Sequence, residues 1–310
     1  MKSLVVTERL PENVWEAIEA RYRASFVRLK ELGRERFLDA IGSPDALVVS
    51  PGDPVDADLI AALPGSVKVI ASYSVGLDHV DVAAARRRGI VVTNTPDVLT
   101  DATADIAMLL ILGALRGVSA ASRLILDGAW TGWQPAQIFG RDLAGKRLGI
   151  FGAGRIGLAT ACRAQAFGMK VRYWSGRARA EAFDRLEIDA VPDMDEFLAG
   201  TDVLSLHCPS TAETRGMVDR TLIEKLPPRA VIVNTGRGDL IVDRDVIDAL
   251  RTGRLGGVGL DVFNGEPDIH PDYRQLPNAF ILPHIGSATE ETRLAMGRML
   301  LAGLDANLPS

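Results

Sequence analysis

The chain of 310 residues is poor in several features that mark particular classes of protein. It has only two cysteines, Cys162 and Cys208, which are too few for a disulfide framework and lack the spacing of a metal site. Its 35 basic and 40 acidic side chains give a net charge of −5, without a basic stripe that would follow a nucleic-acid backbone. We therefore expect a reducing compartment, no bound metal and no nucleic-acid partner.

Long apolar runs are also missing. The longest uncharged apolar run, residues 106–115, is too short to span a bilayer. Residues 1–8 lack the extended apolar region and the small-residue cleavage site of a signal peptide. These absences predict a soluble, cytoplasmic protein with no membrane partner. Because 47% of the residues are hydrophobic, the chain can still bury a large core, and its length favours two domains.

What the sequence does contain is a regular alternation of short apolar runs and helix-length segments. The first group of runs comprises residues 4–6, 46–50, 67–71 and 90–93, with a weaker candidate at 25–29. The second group comprises residues 147–151, 171–174, 203–207, 230–234, 258–261 and 280–282. Continuous apolar strands separated by helices indicate parallel sheets that are covered on both faces. The prediction is an α/β protein with two doubly wound parallel sheets.

Two helical segments define the expected domain organisation. The stretch 101–126 lies between the two groups of strands, with Thr100 as its expected N-cap, and Ser287-Ala288-Thr289-Glu290 has the form of a capping box that opens a final helix. We infer a substrate domain of residues 1–96, to which residues 287–310 return, and a cofactor domain of residues 97–286. This arrangement would leave a cleft between two sheets, where small-molecule sites are common.

A glycine-rich loop, Gly152-Ala153-Gly154-Arg155-Ile156-Gly157, directly follows the strand 147–151. The first glycine permits a tight turn, the second lets a pyrophosphate approach the backbone, and the third lets the helix pack close to the strand. The helix that follows would offer free N–H groups and its positive dipole end to the phosphates. Because the strand, the helix and the next strand are all in place, the motif predicts a dinucleotide site.

The residues after the next strand bear on the choice of nucleotide. NAD enzymes of this type carry an acidic residue about 20 residues after the glycine loop, where it binds the ribose 2′-hydroxyl. Here the strand 171–174 leads into Ser175-Gly176-Arg177-Ala178-Arg179, and no carboxylate precedes Glu181. A guanidinium group attracts a 2′-phosphate. The segment therefore favours NADPH, with NAD as a weaker cosubstrate, although a solvated basic loop is an alternative interpretation.

Three polar residues follow successive strands of the second group: Arg237 after 230–234, Glu266 after 258–261 and His284 after 280–282. Because the carboxyl ends of parallel strands share one edge, these residues can converge. Reduction of a 2-oxo acid needs a cation for the carboxylate and ketone, a proton donor for the forming alkoxide, and a carboxylate that orients the donor. Arg237, His284 and Glu266 supply these roles in that order. Each alone could be an ordinary surface or structural residue, so the prediction rests on their conjunction.

Four stretches, at residues 145–157, 234–239, 261–267 and 283–287, make the sequence similar to a known family. The chain resembles the D-isomer-specific 2-hydroxyacid dehydrogenases over nearly its whole length, and within them the NADPH-dependent glyoxylate/hydroxypyruvate reductases. The resemblance implies a Rossmann cofactor domain, a flavodoxin-like substrate domain and a homodimer. It also implies a small 2-oxo acid as the substrate and the same three roles for Arg237, Glu266 and His284.

The resemblance assigns further residues to the site. The backbone amides of Val75 and Gly76 would bind the substrate carboxylate, Asp261 would hold the nicotinamide carboxamide, and Thr235 would lie beside the ring. The full set expected to bind the cofactor is Gly152, Gly154, Arg155, Ile156, Gly157, Ser175, Gly176, Arg177, Arg179, His207, Pro209, Thr235, Asp261 and Gly286. For His207 a purely structural role near the nicotinamide ribose is the alternative.

Two aromatic residues bear on specificity and assembly. Trp133 lies in a stretch, residues 130–135, that resembles the loop by which one subunit reaches its partner's active site, although plain interface packing explains it equally well. Tyr73 is bulkier than the residues common before the substrate loop, which leaves larger 2-oxo acids such as phenylpyruvate or hydroxyphenylpyruvate open. A nucleotide-sensing, corepressor-like scaffold is a hypothesis of a different class. An L-specific dehydrogenase is disfavoured because such enzymes carry the glycine loop near the N-terminus, whereas here it begins at Gly152.

Overall fold

The structure is a computed structural model that describes residues 1–175 and 181–308. The predicted 2′-phosphate contacts Gly176, Arg177 and Arg179 lie outside the described residues. The chain forms two compact units. Unit 1 consists of Met1–Leu99 and the segment that begins at Ser287, and unit 2 is Thr100–Gly286.

Unit 1 is built on a five-stranded parallel sheet in the order β2-β1-β3-β4-β5, which is the flavodoxin-like order. Its strands are β1 (Ser3–Val6), β2 (Arg23–Phe26), β3 (Ala46–Val49), β4 (Val69–Ser72) and β5 (Val91–Thr93). Its helices are α1 (Glu12–Glu19), α2 (Leu29–Ile41), α3 (Ala57–Ala62), α4 (Val82–Arg87) and, late in the chain, α12 (Glu290–Asn307).

Helices cover both faces of the unit 1 sheet. The central strands β3 and β4 are buried along their whole length, as expected for continuous apolar runs with a layer of helices on each side. On one face the core includes Phe37 of α2 and Leu59 of α3. On the other it includes Ile18 of α1 and Leu300 of α12, so the last helix completes this core.

Unit 2 is built on a seven-stranded parallel sheet in the order β12-β11-β10-β9-β6-β7-β8. Its strands are β6 (Arg147–Phe151), β7 (Lys170–Trp174), β8 (Asp189–Ala190), β9 (Val203–Leu206), β10 (Ala230–Asn234), β11 (Leu255–Leu260) and β12 (Ala279–Ile281). Its helices are α5 (Thr100–Arg116), α6 (Val118–Leu126), α7 (Arg155–Ala166), α8 (Glu181–Asp184), α9 (Met194–Ala199), α10 (Arg220–Lys225) and α11 (Asp243–Arg251). The sheet is extended from β6 in both directions, and ligands of such sheets bind at this switch point.

The helical stretch predicted at residues 101–126 is two helices, because Gly117 takes a left-handed conformation (φ +64°) between α5 and α6. Helix α5 packs in the core of unit 2 through residues such as Leu110 and Ile111, whereas α6 buries none of its side chains. Taken together, the two helices, bent by 74°, meet a length-and-hydropathy criterion for a membrane span. No single helix among residues 1–175 and 181–308 meets it.

The predicted fold class, two doubly wound parallel sheets, is confirmed, but two predicted helix caps are wrong. Thr100 is the first residue of α5 rather than the residue before it. The N-cap of α12 is Thr289, whose hydroxyl accepts a hydrogen bond from the Thr292 amide at 3.1 Å, rather than Ser287. In both cases the hydroxyl residues indicated that a helix begins nearby, but they did not identify the N-cap residue itself.

Candidate active site and cofactor site

The glycine loop follows β6 and folds closely on itself. Gly152 has φ +108°, and a Cβ atom there would lie 2.7 Å from the backbone nitrogen of Cys208. A Cβ atom at Gly157 would lie 2.5 Å from the carbonyl oxygen of Gly152. These two glycines are required by the backbone conformation and by the close packing of α7 against the loop.

Gly154 differs from its two neighbours because a Cβ atom there would meet no other atom within 4 Å. It is the N-cap of α7, and no side chain caps that helix. The amides of the first turn, from Arg155 and Ile156 onwards, therefore adjoin open space at the positive end of a helix dipole. This cradle fits a dinucleotide pyrophosphate, which would occupy the space left by the absent side chain.

The predicted polar residues follow three neighbouring strands of the unit 2 sheet. Because β10, β11 and β12 are adjacent and parallel, Arg237, Glu266 and His284 come after their carboxyl ends at one edge. Along the same edge, His207 follows β9, and the glycine loop follows β6. Within residues 1–175 and 181–308, no group of three or more His, Cys, Asp or Glu side chains could hold a metal ion.

His284 and Glu266 form a direct pair, with 2.8 Å between Nδ1 of the imidazole and Oε2 of the carboxylate. Their side chains keep 42% and 33% of their exposed surface, so a ligand can reach them. Because Nδ1 is engaged by the carboxylate, Nε2 is the ring nitrogen that can face a substrate. Histidine held in this way, through one nitrogen, is suited to proton transfer through the other.

Both carboxylate oxygens of Glu266 have donors. Oε1 accepts the backbone N–H of Phe263 at 2.7 Å, which leaves Oε2 for His284. Burial acts to raise the pKa of Glu266, but the hydrogen bond and charge of His284, the Phe263 amide and the charge of Arg237 together hold it below its ordinary value. Glu266 is therefore an ionised carboxylate across the neutral pH range.

Asp261 fixes the backbone that carries His284. Its two carboxylate oxygens accept the backbone N–H groups of Ile285 and Gly286, both at 2.7 Å. His284 has φ +55°, a conformation that is costly for a residue other than glycine. The buried Asp261 clamp holds the next two residues, and so it stabilises this conformation. The proposed contact between Asp261 and the nicotinamide remains a prediction.

The turn that carries Arg237 is organised by Asn234, a buried residue that the sequence analysis did not single out. The Asn234 side chain donates to the Arg237 carbonyl at 2.8 Å and accepts the Gly236 amide at 2.9 Å. The next residue, Gly238, packs flush against Phe263, where a Cβ atom would lie 1.8 Å from the carbonyl carbon. This close approach brings the Arg237 turn beside the loop of Glu266.

His207 lies between two hydroxyl groups at the end of β9. Its Nε2 is 2.9 Å from the Ser205 hydroxyl, and its Nδ1 is 3.5 Å from that of Thr235. Burial lowers the pKa of His207 to about 4, so this imidazole is neutral near pH 7. The adjoining Pro209 is held through its carbonyl, which accepts the Thr214 hydroxyl at 2.8 Å. Contacts of His207, Pro209 and Thr235 with a cofactor remain predictions.

In unit 1, Tyr73 and His79 follow β4 and are both held by hydrogen bonds. Tyr73 is 4% exposed, packs with α12 in the core of unit 1 and donates its hydroxyl to the Arg293 carbonyl at 2.6 Å. His79 lies two residues before Asp81, which is the N-cap of α4. Nε2 of His79 lies 3.0 Å from the Ser72 hydroxyl.

The fold and this arrangement define a Rossmann-type dinucleotide-binding protein with an acid–base pair at the carboxyl edge of its sheet. Residues 108–286 match the family described as D-isomer specific 2-hydroxyacid dehydrogenase, NAD binding domain. The chain belongs to the D-isomer-specific 2-hydroxyacid dehydrogenase family, as the sequence resemblance predicted.

Individual relatives match along nearly the whole chain. A glyoxylate reductase of Thermococcus litoralis is 40% identical over 306 residues, covering 97% of this chain and 92% of the relative. A glycerate dehydrogenase of Hyphomicrobium methylovorum is 38% identical over 312 residues, covering 98% and 95%. The crystal structure of an NADPH-dependent glyoxylate/hydroxypyruvate reductase from Sinorhizobium meliloti, in complex with NADP and malonate, is 33% identical with a TM-score of 0.87, covering 100% and 94%.

Proposed function

We propose that this protein reduces a small 2-oxo acid of the glyoxylate or hydroxypyruvate type to the D-2-hydroxy acid with NADPH. The observation that carries the proposal is the 2.8 Å contact between His284 and Glu266 beside the Arg237 turn. When bound, NADPH supplies the hydride that the carbonyl carbon accepts. The chain's own residues must then bind the anion and deliver one proton.

Arg237 would bind the substrate carboxylate and polarise the ketone, because a guanidinium offers permanent charge and forked donors. His284 would donate its Nε2 proton to the carbonyl oxygen as negative charge develops there. Glu266 would stay ionised, keep Nδ1 of His284 protonated and hold the ring in place. The proton leaves Nε2, so the neutral imidazole must regain a proton from solvent before the next turnover.

The preference for NADPH rests on the sequence after β7. The segment 171–180 contains no carboxylate that would repel a 2′-phosphate, and Ser175, Arg177 and Arg179 offer a hydroxyl and two guanidinium groups. The Sinorhizobium meliloti relative, which is NADPH-dependent and was crystallised with NADP, supports the same choice. NADH would be a weaker cosubstrate.

Steady-state kinetics test the proposal. Glyoxylate, hydroxypyruvate and phenylpyruvate are each offered with NADPH and with NADH, and oxidation of the nucleotide is followed by absorbance. We expect the highest kcat/KM with NADPH and one of the two smaller acids. A protein that binds NADPH but turns over none of the three would be a nucleotide-sensing scaffold rather than a reductase.

A homodimer is part of the proposal. Helix α6 buries no side chain in the single chain, and Leu126, Trp133 and Phe139 are each more than 80% exposed. Apolar exposure on this scale indicates a protein interface, and the occupant we propose is a second copy of the chain. Light scattering should give the dimer mass, and Leu126→Asp should give the monomer. A wild-type monomer at micromolar concentration would contradict the assignment.

A further inference from the structure

In the loop after β4, the carbonyl groups of Ser74, Val75 and Gly76 each accept a hydrogen bond. The Ser74 carbonyl accepts the backbone N–H of Thr95 at 2.8 Å. The Val75 carbonyl accepts the side-chain amide of Asn94, also at 2.8 Å. The Gly76 carbonyl accepts the Ser74 hydroxyl at 2.7 Å. All three donors belong to unit 1, so residues of the same unit fix the conformation of this loop.

These carbonyl contacts also set the directions of the amide groups. In a planar trans peptide the C=O and the N–H of one unit point in opposite directions. The Val75 N–H shares its peptide unit with the Ser74 carbonyl, so it points away from Thr95. The Gly76 N–H shares its unit with the Val75 carbonyl, so it points away from Asn94. Among the described residues, neither N–H donates to a protein acceptor.

A chain of hydroxyl groups supports the next peptide unit, and its direction is fixed. The Gly76 carbonyl can only accept, so the Ser74 hydroxyl donates its one hydrogen to that carbonyl. The Ser72 hydroxyl, 2.8 Å from that of Ser74, must then be the donor to it. Ser72 has no second proton, so Nε2 of His79 must carry the hydrogen that Ser72 accepts at 3.0 Å. The relay runs from His79 to Gly76 and stiffens the loop.

We propose that Asn94 is a positioning residue for the substrate carboxylate, which it serves by aiming the Gly76 N–H through its bond to the Val75 carbonyl. The inference rests on the proposed function and on the expectation from the sequence resemblance that the amides of Val75 and Gly76 join Arg237 in binding that carboxylate. Asn94 itself does not touch the substrate. Loss of its side-chain amide frees the Val75–Gly76 peptide to rotate, and the two N–H groups then no longer converge on one anion.

The test compares Asn94→Ala with a matched control. Asn307→Ala removes the same kind of bond in the same unit, where the Asn307 side chain donates to the Gly303 carbonyl at 2.8 Å. Oxalate is the probe, because it carries carboxylates and is not reduced, and its Kd is measured by calorimetry with saturating NADP. The neutral analogue oxamide and NADPH itself serve as further ligands.

Asn94→Ala should weaken oxalate binding about fivefold or more, since a hydrogen bond to a charged group is strong and sensitive to direction. Binding of NADPH and of oxamide should stay within about twofold, and KM for the 2-oxo acid should rise more than kcat falls. Asn94→Asp, which is nearly isosteric and replaces the donor by an acceptor, should weaken oxalate binding further. The control should match the wild type in all of these.

The outcomes separate this inference from the proposed function. If Asn94→Ala shows normal turnover and unchanged oxalate affinity, the proposed role of Asn94 is wrong and the proposed reductase activity still stands. If the wild type binds oxalate but turns over no 2-oxo acid, and Asn94→Ala no longer binds oxalate, the role of Asn94 is supported and the proposed reductase activity is wrong. If the wild type does not bind oxalate, the inference fails.

Discussion

Replacing Glu266 by glutamine is the sharpest test of how the proton donor is held. The carboxylate serves two donors at once, the Phe263 amide at Oε1 and His284 Nδ1 at Oε2. A glutamine has one acceptor oxygen and one NH2 group. If its oxygen keeps the Phe263 N–H, the NH2 group must face Nδ1, which then has to accept a hydrogen bond. A protonated imidazole cannot accept there, so the variant disfavours the charged ring.

The size of the effect follows from the bond that is lost. A hydrogen bond between charged partners contributes about 1.5–3 kcal/mol when it is shielded from water. His284 keeps 42% of its side-chain exposure, so solvent screening reduces this to about 1–2 kcal/mol. Since about 1.4 kcal/mol corresponds to one pH unit, the alkaline limb of the kcat/KM profile should move to lower pH by roughly one unit.

The assay is kcat/KM for the preferred 2-oxo acid between about pH 5 and pH 9, under conditions that saturate NADPH. Glu224→Gln, an exposed position on α10 in the same unit, is the matched control and should reproduce the wild-type profile. His207 should not contribute in this range, because burial lowers its pKa to about 4. An alkaline limb that does not move in Glu266→Gln would show that the carboxylate and the proton donor are not coupled, and the proposed mechanism would be wrong.

Three further predictions test other parts of the molecule. Arg237→Ala should lower kcat/KM by a hundredfold or more, on the order expected for loss of a charged transition-state contact, with NADPH affinity unchanged; near-normal kinetics would remove Arg237 from the site. Gly154→Ala should keep the wild-type Tm, because its Cβ meets no protein atom, but it should lose NADPH affinity because the methyl group occupies the space proposed for the pyrophosphate. Gly157→Ala should lower Tm because its Cβ meets the backbone. Equal effects of the two variants on Tm and on NADPH affinity would contradict the proposed pyrophosphate site. Asp202→Asn should lower the free energy of unfolding at pH 7 by about 1 kcal/mol, because the Arg147 hydrogen bond and charge hold the pKa of Asp202 below its ordinary value. That contribution is present above about pH 4 and is lost as pH falls further, so urea denaturation of the two proteins should converge in acid.

The parts of the fold that could be predicted are those that depend on residues close together in the sequence. The strands at residues 147–151 and 230–234 match the structure at both ends, since each is a mainly apolar run with a polar residue, Arg147 or Asn234, at one end. The glycine loop was equally visible. By contrast, β8 has only two residues, both exposed, and so leaves no apolar pattern to detect.

The parts that could not be predicted depend on contacts between distant residues. The Tyr73 hydroxyl donates to a carbonyl 220 positions away on α12, a contact that the local sequence around Tyr73 does not indicate. The clamp of Asp261 on the loop after His284 joins residues separated by 24 and 25 positions. Asn234 and Asn94 act through bonds to backbone carbonyls, which no spacing of side chains reveals.

The stereochemistry of the product tests the central claim most directly. Hydroxypyruvate is reduced to completion with NADPH by the wild type and by His284→Ala, and the glycerate formed is resolved on a chiral column. We predict D-glycerate alone from the wild type, and a rate lower by about a hundredfold to ten-thousandfold in the variant, as expected for loss of a general acid. Formation of L-glycerate, or a rate in His284→Ala equal to that of the wild type, would contradict the account.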